Sequence, residues 1–395
     1  MMRVFSGSFV ILLLAHGSAL ALDVTFGSEL QEQGFVSFPT DNGGFLTCGM
    51  FVLNVSRSIV SSEGPGGLDC MLIRCDSKGN VLWEKEYYSG PWLDLAVAGV
   101  PCDDEGFVLA GVTTTMDEGQ NNWLFKVDPQ GELVWENNPG TDYDDWTYDL
   151  AATDDGGYVL AGYVDSLSGS GPVPCLLKTD GSGNEIWNRQ YSDYGSGMAE
   201  AIVGVENGEF LVSGYTESGE KGIAVPFLMR TDENGDVIWF ESFGGMAGHC
   251  YSLDLSLPGD GSIMMTGYGE TEEGDYDVWV GKASAEGDIL GEWTFGGSRD
   301  DMAFSTCPCP RGIVIAGSTD SAPAERTDLL LMAVSPSGDE LWWVNHGGPG
   351  NEGAEHIEWI PSGGFLVSGY TSSMGEGETD IWVLKVDCEG QPMGD

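Results

Sequence analysis

Short apolar runs alternate with polar, glycine-rich turns along the whole chain, and no apolar stripe recurs at the spacing of an amphipathic helix. One stretch shows the unit in full. Residues 147–153 read as a strand, 154–157 as a turn and 158–163 as a second strand; a variable polar loop follows. A third strand at 175–179, a turn at 180–184 and a fourth strand at 185–191 complete it. Four β-rich runs joined by Asp, Asn and Gly turns predict one antiparallel four-stranded sheet.

That unit repeats. Glycine closes the second run at Gly111, Gly162, Gly214, Gly267, Gly317 and Gly369, at intervals of 51, 52, 53, 50 and 52 residues. A further copy, Phe45-Leu-Thr-Cys-Gly49, stands 62 residues ahead of Gly111, so the first unit carries an insertion around 54–67. A period near 50 residues, with four strands in each unit, predicts the blades of a propeller.

The turn before each fourth strand carries D-x-x-G-x-x-x-W, at Asp76/Gly79/Trp83, Asp128/Gly131/Trp135, Asp180/Gly183/Trp187 and Asp232/Gly235/Trp239. Asp caps the turn, Gly takes a positive φ, and Trp covers the adjoining sheet. Unit six keeps Gly338 and Trp342 with Ser335 in place of Asp, whereas unit five has Ser284 and Gly287 and a Trp293 two places late. Unit seven stops short of its fourth strand. Phe26-Gly27 matches Phe243-Gly244 and Phe295-Gly296, which puts Leu22 at the missing Trp position. The expected fold is an all-β, seven-bladed β-propeller whose N-terminal strand completes the last blade and closes the ring.

Ahead of that strand, Arg3, the apolar stretch from Phe9 to Leu14 and Ala19-Leu-Ala21 read as an export signal over residues 1–21. Residues 22–395 then form a single propeller domain, periplasmic or secreted. No later segment reaches the roughly 20 apolar residues of a membrane span, so no membrane insertion is expected.

Over this mature region the D-x-x-G-x-x-x-W turn resembles the blade motif of pyrroloquinoline-quinone-type propellers. The glycine after an apolar strand is similar to kelch blades. The whole pattern looks like the secreted bacterial propellers with "DGGYLLAG…DxxGNxxW" repeats. The resemblance implies the fold; no quinone-binding or catalytic residue of those families matches a position here, and a single glycine stands where kelch strands have two.

Charge changes the picture of partners. Lys and Arg total 15 against 63 Asp and Glu, a net charge of −48, which excludes nucleic acid and anionic membrane surfaces as partners. Six of the cations, Arg74, Lys126, Lys178, Arg230, Lys282 and Lys385, share one third-strand position and are expected to pair with blade carboxylates. Nine cysteines sit mostly where sister units carry apolar residues, which suggests buried thiols, with disulfides as the alternative.

By analogy with other propellers, the loops from strand four to strand one and from strand two to strand three share one rim around a central channel. Here they collect acids and aromatics. Asp94, Asp144, Asp145, Trp146, Asp300, Asp301, Glu352 and His356 are the candidate ligand-face residues, with Trp92 and Tyr143 as further aromatics and Asp117, Glu118, Glu220 and Glu376 as further acids. Glu272, Glu273, Asp275 and Asp277 are the candidate ligands of a metal: the oxygen-rich loop suits calcium, although no complete calcium-loop motif is present. No cofactor is predicted and catalytic residues are not assigned; no Ser/His/Asp spacing or nucleophile elbow occurs. The expected function is an exported, monomeric, non-catalytic binding or scaffold module for a protein or glycan. The alternatives are a carbohydrate-active hydrolase or lyase using rim carboxylates and, third, a quinone-dependent oxidoreductase-like propeller.

Overall fold

A computed structural model describes residues 22–28, 31–52, 68–88, 93–115, 119–165, 171–218, 222–244, 247–321, 326–375 and 378–393. The proposed insertion and the export signal lie outside them. Seven four-stranded antiparallel sheets form the blades, with no α-helix among the described residues. In the third, strands Asp144–Ala152, Tyr158–Asp165, Pro172–Thr179 and Glu185–Gln190 run from the centre outward, within a few residues of the expected bounds. The seven inner strands touch their neighbours in a ring, the last meeting the first.

Packing between blades explains the apolar runs. In blade two, Leu109, Trp123 and Phe125 face blade one, whereas Val108, Ala110 and Leu124 face blade three. Second and third strands are thus covered on both sides and read as continuous apolar segments, not alternating ones. Outer strands such as Val81–Tyr87 alternate between half-buried and exposed residues.

The turn motif proves to be a clasp between blades. The Trp83 ring lies over the turn of the next blade, 2.8 Å from where a β-carbon on Gly131 would fall, and its Nε1 donates to the Pro129 carbonyl at 3.0 Å. Trp135 covers Gly183, Trp187 covers Gly235, Trp239 covers Gly287 and Trp342 covers Gly390 in the same way. Trp293, two places late in sequence, still reaches Gly338. At the ring closure Leu22 and Val24 meet Gly79, so Leu22 takes the tryptophan's part.

Strand Asp23–Phe26 completes the seventh blade by pairing with Asp380–Val386, Asp23 opposite Leu384 and Phe26 opposite Ile381. Trp382 Nε1 donates to Asp23 Oδ1 at 2.8 Å, and Lys385 N donates to the Leu22 carbonyl at 2.9 Å. Four of the six third-strand cations pair within their own blades, Lys126 with Asp104 and Lys178 with Asp155 at 2.6 Å, Arg230 with Glu209 at 2.6 Å and Lys282 with Asp260 at 3.3 Å. Arg74 instead stands over the Phe107 ring, 5.8 Å from its centroid, and Lys385 Nζ donates to the Gly43 carbonyl of the first blade at 3.1 Å. All nine cysteines are unbridged and six are buried.

Candidate ligand site in the central channel

The repeat glycine builds the site. In every inner strand one extra residue bulges out of the ladder, and in all seven blades the β-carbon that Gly49, Gly111, Gly162, Gly214, Gly267, Gly317 or Gly369 lacks would run into the inner-strand carbonyl beside the bulge. A side chain there would push the two strands apart, so glycine is the partner that lets the bulge form. The seven bulged residues are Phe35, Val97, Tyr148, Glu200, Leu253, Phe304 and Glu355. All seven line one central cavity of about 260 Å³.

In four blades the residue after the bulge ties neighbouring blades together. Asp149 accepts from Ile202 N of the next blade at 2.8 Å and from Leu150 N at 2.7 Å; Asp254 accepts from Thr306 N and Leu255 N, both at 2.7 Å. Ser305 accepts from Ile357 N at 3.3 Å, and the His356 Nδ1 faces Ser37 N at 3.5 Å. Val36, Ala98 and Ala201 hold the same place without a latch. Protein atoms ring these groups although water-sized space lies beside them in the channel. Desolvation therefore pushes Asp149 up to about 7 and Asp254 to about 6, despite the backbone donors, and holds His356 neutral, down at about 4.

Glu200 and Glu355 differ in what satisfies them. Glu355 accepts from Gln33 Nε2 at 2.8 Å and is pushed by burial to about 7. Glu200 accepts no hydrogen bond from a described residue, and burial alone raises it to about 8. Glu358, lower on the same strand as Glu355, is pushed to about 7, again by burial first. Among the described residues lining the cavity there is no Lys or Arg.

Aromatic rings gather beside Glu200. Tyr148 lies with its centroid 6.1 Å from Trp146 and 6.0 Å from Tyr163, and its hydroxyl donates to Met198 Sδ at 3.3 Å. Met198 pairs across the sheet with Tyr215; from there the rings continue to Tyr251 at 4.9 Å, Tyr268 at 5.2 Å and Phe304 at 6.3 Å. Trp146 is half-buried in this group, and its Nε1 has no partner among the described residues.

The rim acids have a different placement. Asp94, Asp301, Glu352 and Glu32 begin four inner strands, and Asp145 is the second residue of a fifth, all as buried carboxylates. Asp145 accepts from Thr141 N at 2.6 Å, Asp301 from Gly297 N at 2.7 Å, and Glu352 from Gly348 N at 2.8 Å, each closing the loop four residues back; Glu32 takes the Ser28 hydroxyl at 2.6 Å. Asp94 accepts from the Thr113 hydroxyl at 2.5 Å. Asp144 and Asp300 accept from Gln120 N and Tyr276 N, both at 2.9 Å, across the second rim loop. The structure thus gives these acids loop-closing bonds, and of the eight ligand-face candidates only Trp146 and His356 fall beside the bulged ring. Trp92, Asp117, Glu118, Glu220 and Glu376 lie outside the described residues. Tyr143 is exposed on the rim.

In the candidate calcium loop, Glu272 and Glu273 point to solvent, Asp275 accepts from the Thr271 hydroxyl, and Asp277 is raised to about 6 by burial and the neighbouring Asp301. Among the described residues no group of three or more His, Cys, Asp or Glu is arranged to hold a metal ion.

Sequence reasoning did not pick out Glu200 or Glu355. Their position is filled by Phe, Val, Tyr and Leu in other blades, so no repeated residue type flags it. The available signal was indirect: the residue just after the one that pairs with the repeat glycine, three places after each rim position.

Fold and channel together define a seven-bladed β-propeller with a polar, aromatic-walled axis. No protein-family model matches the chain, and no curated protein matches it. Among solved structures it is similar to the WD40 domain of Neurospora crassa Pan2, with 9% identity, 91% of each chain covered and a TM-score of 0.54. It is similar to an ulvan lyase of a polysaccharide lyase family, with 9% identity, 90% of this chain and 95% of that one covered, and a TM-score of 0.59. It is also similar to the β-propeller domain of the Trilobed protease from Pyrococcus furiosus, with 10% identity, coverage of 91% and 97%, and a TM-score of 0.50. At such identities the likeness carries the fold alone. The Pyrococcus domain has an open velcro topology, whereas here the first strand completes the last sheet.

Proposed function

We propose that this chain is an exported binding module that takes a small ligand into its central channel through the acidic rim. One observation carries the reading: the seven bulged residues converge on a single cavity walled by Glu200, Glu355, Tyr148, Phe35 and Phe304, where small apolar side chains would have filled the axis. A cavity of about 260 Å³ sits just below the ~300–1,000 Å³ of ordinary small-molecule sites, which favours one compact ligand or a single sugar unit over a long polymer. Tryptophan fluorescence and calorimetry with a panel of mono- and disaccharides and small amines test this, since the Trp146 ring lies 6.1 Å from that of the cavity-lining Tyr148. At least one panel member should bind the native protein and lose at least tenfold in affinity to Val97→Phe, which plugs the channel without touching a latch. Ligands that bind both proteins alike, or none at all, overturn the channel reading.

The converging carboxyls and aromatic wall favour one second reading, a carbohydrate-active hydrolase or lyase in which Glu200, held protonated at neutral pH by burial, supplies a proton to a leaving oxygen. Release of reducing ends or unsaturated products from a polysaccharide panel, abolished in Glu200→Gln, is the outcome this reading requires. Calcium at the Glu272–Asp277 loop is a separate proposal. It requires a rise in melting temperature in millimolar calcium.

A further inference from the structure

Three features of the channel point to the ligand's charge as well as its size. Among the described residues, the cavity wall holds Asp149, Glu200, Asp254, Glu355 and Glu358 and neither Lys nor Arg, inside a chain of net charge −48. A cleft of one sign within low-dielectric walls concentrates ions of the other sign and repels anionic ligands. Most of these carboxylates already have donors: Asp149 and Asp254 are committed to backbone N–H groups, Glu355 to Gln33 and Glu358 to the Trp359 N–H. Glu200 has no such donor among the described residues, and it stands on the inner strand of blade four, Gly197–Gly204, in the middle of the aromatic arc.

That arc is continuous. It runs from Tyr148 through Met198 to Tyr215, Tyr251 and Tyr268 and ends on Phe304 across the channel. Burial and neighbouring charges push Tyr148, Tyr215 and Tyr268 upward, so the phenols stay neutral and keep electron-rich faces. Tyr148 and Phe304 line the cavity itself, and Tyr215 and Tyr268 stand behind them within reach of the Glu200 charge. Neutral aromatics beside a carboxyl that has no donor among the described residues suit a cation whose charge is spread over apolar groups, because ring faces attract such a cation without having to replace a tight hydration shell. A divalent metal wants several converging oxygens, and among the described residues of the cavity wall one carboxyl, Glu200, is uncommitted.

We propose that the blade-three-to-six side of the channel seats an organic monocation, an alkyl- or quaternary ammonium group, with the Glu200 carboxylate as its counter-charge. The proposal deepens the channel-binding reading and rests on it. Binding must ionise Glu200, so the ligand displaces a proton into solvent. The other groups that face it, the phenols of Tyr148, Tyr163, Tyr215 and Tyr268, the carboxyls of Asp149, Asp254, Glu355 and Glu358, and His356, add to the field; Glu200 sets the proton release.

Choline and its uncharged carbon twin, 3,3-dimethylbutan-1-ol, distinguish charge from shape when titrated calorimetrically from pH 6 to 9. With Glu200 free at about 8, choline affinity should rise about tenfold per pH unit up to pH 8 and level off above it. The alcohol should bind at least tenfold more weakly at pH 8. Glu200→Gln should weaken choline at least tenfold and flatten the pH dependence, and a melting curve shows that the variant is folded; Tyr148→Leu should weaken choline as well. Equal binding of choline and the alcohol, or an unchanged pH slope in Glu200→Gln, overturns the proposal. If choline fails while a neutral sugar binds the native protein and not Val97→Phe, the cation proposal falls and the channel reading stands. If Val97→Phe changes nothing, the channel reading itself falls.

Discussion

The β-carbon missing from Gly162 decides the shape of an entire blade. Any side chain there would strike the Trp146 carbonyl, which the bulge at Tyr148 brings against the second strand. Gly162→Ala should therefore lower stability by about 1–3 kcal/mol through overpacking, seen as a lower denaturation midpoint. Gly204→Ala is the control: it lies at the exposed end of the inner strand of blade four, its nearest neighbour to a new β-carbon is the Ala152 carbonyl at 3.8 Å, and its midpoint should hardly move. Equal effects of the two changes would show that the repeat glycine is not there for the bulge. At this scale the sequence displayed the glycine by its period and hid what the glycine accomplishes. Glu200 and Glu355 were invisible because a bulge inserts one residue into the strand's alternation, so a face read from period two goes wrong beyond it. Asp145, Asp301 and Glu352 were visible as acids; that they lie buried against loop amides depends on the turns four residues back, which composition does not reveal.

Between strands three and four, the turn motif works locally and across blades at once. Asp128 accepts from Gln130 N and Glu132 N at 2.9 and 2.8 Å, which fixes the turn, and Gly131 takes φ 73. The finished turn is then the surface on which Trp83 of the preceding blade rests. Trp83→Ala should cost about 2–3 kcal/mol, less than the ~3–5 of a fully buried tryptophan because Trp83 is only half-buried. It should also speed amide exchange of Gly131, whose N–H donates to the Asp128 carbonyl at 2.9 Å. Unchanged exchange at Gly131 would mean that the ring does not support the turn. The four strands of each unit and the position of this turn were legible from residues alone. The direction of the clasp was not, since it needs the neighbouring blade; the displaced Trp293 shows this, reaching Gly338 although its own unit is out of step.

For the molecule as a whole, two populations of carboxyls oppose each other with pH. Burial raises Glu200 to about 8, Glu355, Glu358 and Asp149 to about 7, and Asp254 and Asp145 to about 6. These groups bind more protons folded than unfolded, so their stability is fully present below about pH 4 and is lost as pH rises toward 8. Turn carboxyls behave in the opposite sense: the Lys178 ammonium and the Thr153 hydroxyl hold Asp155 at about 2, and Asp104 is likewise lowered by Lys126. Their stability is present above pH 4 and is lost on further acidification. The melting temperature at fixed ionic strength should peak near pH 4–5 and fall from 5 to 8, a fall reinforced by self-repulsion at net charge −48. A melting temperature that stays level or climbs from pH 5 to 8 would contradict the buried ring of acids.

Sequence by itself determined the number of blades, their four-strand order and the strand that closes the circle. Those features are local, written in apolar runs, turn residues and a period that survives insertion, and each unit repeats the message. Only the tertiary structure decided which residues meet on the axis, because the channel is assembled from one bulged position in each of seven blades, about 50 residues apart along the chain. No short-range pattern records such a meeting. It exists once the ring closes, and the desolvation that gives Glu200 its chemistry exists with it.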